Sequence, residues 1–225
     1  MVDNKHQSML SQRIFQAAKK IRADDETLGD NFHLMDSFGK KWQPERTTLL
    51  DQADEYKSAN IKLSVVPPRD KIILRGQKST LAQAVKRTLG LEMPKPLHYQ
   101  LGKKDSRLSW LSPDEWMLNT PLSSGDGIKE KLAQELAGKY YALIDVSDYY
   151  IDIALKGDAS LLLINKGSPF NTDERYFSLG QVISTHYANA TIVLSYLETS
   201  FEIQVRTSFA VYLWEYLVTA AKEFG

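Results

Sequence analysis

The 225-residue chain contains no cysteine. That absence excludes disulfides, thiolate nucleophiles, cysteine-ligated zinc and iron–sulfur clusters together. Excess charge is missing as well. Lys and Arg number 28 and Asp and Glu number 28, so the formal net charge is zero. Nucleic acid is not expected as a principal partner, because counterion release needs a basic surface. Close association with other proteins meets little net repulsion. Long apolar runs are lacking. Leu161-Leu162-Leu163-Ile164 falls far short of the roughly 20 residues that span a bilayer, so no membrane partner is expected. The N-terminus is polar and mixed in charge, without the apolar stretch of a secretory signal, and a cytoplasmic location is the expectation.

Sequence signatures of chemistry are equally scarce. The four histidines, His6, His33, His98 and His186, have no partner at helical ligand spacing, so no metal site is read from them. A Gly-x-x-x-x-Gly-Lys-Ser/Thr run is absent, and Gly125-Asp126-Gly127 lacks the third glycine of a dinucleotide loop. No Gly-x-Ser-x-Gly elbow exists. Asp114 and Glu115 are adjacent in a turn, where neighbouring side chains are expected to diverge, with Asp114 bonding turn amides. Asp145 ends an apolar strand and begins Asp145-Val146-Ser147-Asp148. That turn serves either a ligand or its own amides. The pairs Tyr140-Tyr141 and Tyr149-Tyr150 read as strand residues, one in and one out.

What the sequence does contain is pattern. Residues 1–60 are charged, with breakers at Gly29-Asp30-Asn31 and a weak amphipathic series at Met9, Ile14, Ala17, Ala18 and Ile21. They read as an extension of undetermined order. Residues 61–225 form the domain proper. Ile61, Leu63 and Val65 alternate as a strand, Pro67-Pro68-Arg69-Asp70 turns the chain, and Ile72-Ile73-Leu74 returns it. Ser79 or Thr80 opens a helix through Leu81, Val85 and Leu89, stopped by Gly90. Leu108 to Leu111 and Trp116 to Leu118 flank a turn with Pro113 at the type I position, which predicts a hairpin. Ile128, Leu132 and Leu136 mark a helix, followed by a strand from Tyr140 to Val146. The series then restarts. Tyr149 to Leu155 is a strand, and Asp158 caps a short helix of Leu161 to Ile164. Strands follow at Gly180 to His186, Ala190 to Leu197 and Phe201 to Arg206. In the last, Phe201, Ile203 and Val205 are expected inside, and Glu202, Gln204 and Arg206 outside. The class is α+β, built from two split βαβ (ferredoxin-like) halves.

The final helix, capped by Ser208, carries two apolar stripes. Phe209, Leu213, Tyr216, Leu217, Ala220 and Phe224 form one, and Ala210, Trp214, Val218 and Ala221 the other. One stripe suffices to pack a helix on its own sheet, so the second predicts either burial against another chain or a terminal helix sunk in a large core.

These residues carry a family resemblance. Leu74-Arg75-Gly76, Leu89-Gly90, the hairpin Trp110-Leu111-Ser112-Pro113-Asp114-Glu115-Trp116, Ile144-Asp145-Val146-Ser147, Leu155-Lys156-Gly157 and Ser208-Phe209-Ala210-Val211-Tyr212-Leu213-Trp214 together resemble the gamma subunit of heterotetrameric sarcosine oxidase, over about residues 61–225. The resemblance implies a fold similar to the folate-binding domain of aminomethyltransferases. It implies a non-catalytic structural role in a flavin-dependent complex that demethylates sarcosine to glycine, forming hydrogen peroxide and, with tetrahydrofolate, methylenetetrahydrofolate. It places FAD and NAD on the alpha subunit, FMN between alpha and beta, zinc on delta, and no cofactor on this chain. Alpha, beta and delta subunits are the partners it implies. The family-motif residues Trp110, Pro113, Asp114, Glu115, Trp116, Asp145 and Ser147, with Phe209, Tyr212 and Trp214, are then candidates for the subunit interface. Ser112 and the loop at Lys95-Pro96-Leu97 depart from the pattern, and residues 1–60 have no counterpart in it. The alternative reading is a freestanding folate-binding, one-carbon transfer protein of the aminomethyltransferase type.

Overall fold

The computed structural model of the protein describes Leu50 and residues 53–225; the expected helix at Met9 to Ile21 lies outside these residues. Among the described residues, eleven strands form two antiparallel sheets. The first is built from β3 (Arg69–Gly76), β4 (Tyr99–Leu101), β5 (Arg107–Ser112), β6 (Glu115–Pro121) and β7 (Tyr141–Asp145), in the order β4-β5-β6-β3-β7. Helix α1 (Lys78–Leu89) follows β3, and α2 (Gly125–Glu135) joins β6 to β7. Leaving aside the edge strand β4, this is the split βαβ order of a ferredoxin-like half.

The second sheet runs β1-β2-β8-β11-β10-β9. Its members are β1 (Tyr56–Lys57), β2 (Lys62–Val65), β8 (Tyr150–Lys156), β9 (Val182–Tyr187), β10 (Ala190–Tyr196) and β11 (Phe201–Arg206). Helix α3 (Ser160–Gly167) lies between β8 and β9, and α4 (Thr207–Ala221) follows β11. The fourth strand of this half is therefore β2, which precedes the whole first half in sequence. It pairs with β8 through Leu63 opposite Leu155.

That pairing corrects the expectation that residues 61–65 and 72–74 turn back on one another. Pro67 and Pro68 have no N–H to donate and cannot extend a ladder. Val66 instead donates to the Asp152 carbonyl at 2.8 Å, and the chain then crosses to the other sheet. The folded unit also begins upstream of residue 61, since Leu50 is buried and β1 pairs with β2.

Each sheet has an apolar face under helices and a mixed face, where Ile73, Met117, Val182 and Val193 lie among polar side chains. Ile72, Leu74, Leu108, Trp116 and Leu118 pack under α1 and α2 with Leu81, Val85 and Leu132. Ile151, Ile153, Leu155, Ile192, Leu194, Ile203 and Val205 pack under α3 and α4 with Leu163, Leu213 and Leu217. The opposite faces meet each other, giving four layers: helices, sheet, sheet, helices. Glu202 and Gln204, expected outside, are consequently 2% and 0% exposed. Alternation correctly placed them opposite Ile203, but what they face is the other sheet.

Helix ends follow their chemistry with three corrections. Gly90 ends α1 in the left-handed region, φ 69°, as a C-terminal glycine should. Its start is Lys78, ahead of Ser79. Asp158 does not cap α3, whose side-chain anchor is the Ser160 hydroxyl, donating to the Gly157 carbonyl at 2.6 Å. Ser208 sits inside the first turn of α4, after Arg206 at the cap position. The Thr207 hydroxyl there donates to the Asp148 carbonyl at 2.8 Å.

Gly157 holds the most constrained backbone position. With φ at 113°, a Cβ there would lie 2.1 Å from the Asn60 carbonyl oxygen and 2.7 Å from its carbon. Both are backbone atoms flanking β2, so neither can swing aside. Gly157→Ala is expected to destabilise the chain by about 2–5 kcal/mol, combining backbone strain with overpacking, as read from urea unfolding midpoints.

Candidate functional site

The motif hairpin is held by its turn and by one cation. Ser112 pairs with Glu115 across Pro113 and Asp114. The Ser112 hydroxyl donates to Asp114 Oδ1 at 2.9 Å, so a hydroxyl at this turn takes the bond expected from an amide. Arg75 Nε, from β3, lies 3.7 Å from an Asp114 carboxylate oxygen and 3.6 Å from one of Glu115. The two acids thus converge on one guanidinium instead of diverging. All three are partly or largely exposed, and such contacts contribute little to stability. Trp110 and Trp116 face each other across the hairpin in direct register, beneath α1 and α2.

Asp145 and Ser147 serve the turn they occupy. Asp145 Oδ1 accepts from the Ser147 amide at 2.9 Å and from the Ser147 hydroxyl at 2.6 Å. Ser147 Oγ in turn accepts from the Lys71 amide at 2.9 Å. The turn thereby docks β7 and its sequel onto β3.

Two tryptophans expected at an interface are inside the chain. Trp116 is 1% exposed in the first core and Trp214 is 9% exposed in the second. They lie in separate clusters, and neither offers surface to a partner. The physical reason for Trp214 is the angular width of the α4 contact. Ala210, Leu213, Trp214, Leu217, Ala220 and Ala221 form one broad buried face, so members of both stripes are used internally. Aromatic surface remains on the other side. Phe209, Tyr212 and Tyr216 are 40%, 38% and 38% exposed at i, i+3, i+7 spacing, hence on one face. The Tyr212 and Tyr216 rings lie 6.2 Å apart, and Tyr216 meets the buried Tyr187 edge-on at 5.8 Å. Tyr187, whose hydroxyl donates to the Leu163 carbonyl at 2.9 Å, has its ionisation pushed up by burial. It forms a rigid floor for that stripe. Tyr216 was legible as the third member of this spacing, but its i+3 relation to Leu213 places it equally well on the buried stripe.

Between the sheets lies an ionic layer that sequence reading did not find. The Arg107 guanidinium hydrogen-bonds Glu202, with both side chains 3% exposed, and Arg69 lies 3.8 Å from the same carboxylate. Lys71 Nζ lies 3.1 Å from Asp152 Oδ2 and 3.4 Å from the Tyr150 carbonyl. Gln204 Nε2 donates to Asp152 Oδ1 at 2.9 Å. Burial raises the Asp152 carboxyl above the ordinary carboxylate range, against the opposing pull of Lys71. A carboxyl raised in the folded state binds its proton more tightly there than in the unfolded chain. Its contribution therefore makes stability fall as pH rises from the unfolded carboxylate value to the raised one. Removing the pair with Lys71→Met/Asp152→Leu is expected to abolish that acid-side component, seen as a steeper loss of urea midpoint on acidification than in the parent chain.

A cavity of about 100 Å³ opens at the end of this layer, lined by Pro67, Pro68, Lys71, Ser147, Tyr150 and Asp152 among others. Sites for drug-sized ligands run to roughly 300–1,000 Å³, larger than this cavity. Among the described residues, no group of three or more His, Asp or Glu side chains is placed to hold a metal ion, and no helix is long and apolar enough to cross a membrane.

The profile of the sarcosine oxidase, gamma subunit family matches residues 75–223. The chain belongs to that family. The matched span takes in the hairpin, α4 and every strand except β1, β2 and most of β3. Among solved structures, the heterotetrameric sarcosine oxidase from Corynebacterium sp. U-96, in complex with pyrrole 2-carboxylate, is similar at a TM-score of 0.68 with 24% identity, covering 76% of this chain and 88% of that one. The glycine cleavage system aminomethyltransferase T from Bartonella henselae is similar at a TM-score of 0.57 with 15% identity, over 71% of this chain and 46% of that one. No curated protein matches the sequence. The gamma subunit family fold, shared with an aminomethyltransferase, is thus the architecture of two ferredoxin-like halves expected from the sequence.

Proposed function

We propose that this gamma-family chain is a non-catalytic structural subunit of a flavin-dependent sarcosine oxidase, assembling with alpha, beta and delta subunits in the cytoplasm. The family match over residues 75–223 carries the reading. FAD, FMN, NAD and zinc belong to the partner subunits in this proposal, and the chain contributes docking surface. The aromatic stripe Phe209, Tyr212 and Tyr216 is the principal contact, since aromatic side chains dominate interface anchors. The hairpin tip, with Pro113 and the Arg75-bound acids Asp114 and Glu115, supplies a polar contact beside it in the assembly.

The test is co-expression of the tagged chain with its native partners, followed by absorbance and activity of the purified material. A yellow complex producing hydrogen peroxide from sarcosine is the expected result. A colourless, monomeric chain would overturn the proposal. The freestanding folate-binding alternative draws on the Asp145–Ser147 turn and on the likeness to an aminomethyltransferase, of which this chain covers less than half the length. Titration of the full chain with tetrahydrofolate, followed by tryptophan fluorescence, is expected to show no saturable quenching.

A further inference from the structure

The unpaired polar atoms of this protein are not scattered. Among the described residues, the buried side-chain atoms without a hydrogen-bond partner are Trp116 Nε1, Arg107 Nε, Ser109 Oγ, both amide atoms of Asn119, Ser195 Oγ and Gln204 Oε1, while Asp152 Oδ2 has the Lys71 ammonium at 3.1 Å. All except the Trp116 indole lie on the strand faces where the two sheets meet. Strand registers place them side by side. Asn119 stands opposite Lys71 on one flank and Arg107 on the other. On the facing sheet, Gln204 stands opposite Asp152, and Ser195 opposite Glu202. The row ends at Lys71 and Asp152, which also line the cavity beside Pro67 and Pro68.

Buried polar groups without partners cost about 1–3 kcal/mol each, and so many on one strip require a ligand. Its chemistry can be read from the atoms. Arg107 Nε and Asn119 Nδ2 only donate, Asn119 Oδ1 and Gln204 Oε1 accept, and the two hydroxyls do either. An anion would satisfy the donors alone and a cation the acceptors alone. The buried charges already balance, with Lys71 and Arg107 against Asp152 and Glu202. Only a small neutral molecule that both donates and accepts suits the whole set.

We propose that the two sheets are joined through a file of ordered water molecules, entered from the cavity at the Pro67–Pro68 crossover and running past Gln204 and Asn119 to Ser109 and Ser195. Buried waters make about three hydrogen bonds each, so about two or three satisfy the strip. Solvent then joins the halves alongside the direct pairs Arg107–Glu202 and Lys71–Asp152.

The experiment is a crystal structure of the full chain, or of its complex, at a resolution that shows ordered solvent. Expected is discrete solvent density within hydrogen-bonding distance of the Asn119 amide and of Ser109 or Ser195. Direct pairing of these side chains across the sheets, or a single ion in their place, would overturn the proposal. Water-oxygen relaxation dispersion on the full chain in solution gives an independent reading. Asn119→Leu is expected to remove at least one long-lived water from the dispersion amplitude. An amplitude unchanged in a folded Asn119→Leu chain would count against the file.

Discussion

Arg107→Ala is expected to be the most damaging single substitution on the mixed faces of the sheets, lowering stability by about 3–5 kcal/mol. The Arg107 and Glu202 side chains are both 3% exposed and hydrogen-bonded to one another. Removing the guanidinium leaves a buried carboxylate whose remaining cation, Arg69, is 3.8 Å away and partly in solvent. An uncompensated buried charge is far costlier than the pair is favourable, because the desolvation of Glu202 is already incurred. The paired replacement Arg107→Met/Glu202→Leu is expected to restore most of the loss, since it removes both charges while keeping apolar volume. Urea unfolding of the full chain at neutral pH measures both. A loss below about 1 kcal/mol for Arg107→Ala would mark the pair as solvent-screened, like an ordinary surface ion pair, and would contradict its burial between the sheets.

The second large effect concerns assembly. Phe209→Asp and Tyr212→Asp should each weaken capture of the flavin-bearing subunits by about 30- to 1,000-fold, the range of an aromatic hot spot. Folding should be spared, since both residues are about two-fifths exposed on α4 and surface changes typically stay within about 0.5 kcal/mol. Trp214→Ala provides the contrast. Its ring belongs to the second core, so truncation should cost about 3–5 kcal/mol in chain stability and reduce complex yield only through unfolding. Thermal melts of the isolated variants, beside quantitative pull-down with co-expressed partners, separate the two outcomes. Wild-type assembly by a folded Phe209→Asp/Tyr212→Asp chain would refute this face as the docking surface.

Local features were legible in the sequence and partner choice was not. The Trp110–Trp116 hairpin, the α1 stop at Gly90 and the buried alternation of β11 follow from turn chemistry and periodicity, which act within a few residues. Pro67-Pro68 reads equally as a tight turn or as a crossover, because proline reports a broken ladder and says nothing about the next sheet. The polar residues of β11 and β5 illustrate the same limit. A period of two distinguishes the faces of a strand, but Glu202 and Arg107 look solvated until the other sheet is brought over them. At the candidate interface, the outward placement of Phe209 and Tyr212 was within reach of helical spacing. The inward placement of Trp214 was not, since it depends on how wide a strip of α4 the second sheet covers.

The position of β2 has a consequence for synthesis. Its partner β8 ends at Lys156, and the pairing of Leu63 with Leu155 spans the whole first half. During translation the β3–β7 half emerges entire and can pair its own strands before β8 is made. The strand ahead of it cannot. Ile61 and Leu63, fully buried in the finished protein, stay uncovered until β8 and β11 have left the ribosome. Such late, distant pairing slows folding and exposes apolar strand edges. The nascent chain therefore passes through a stage with one half paired and a sticky leader attached, when a holding chaperone has the most to protect.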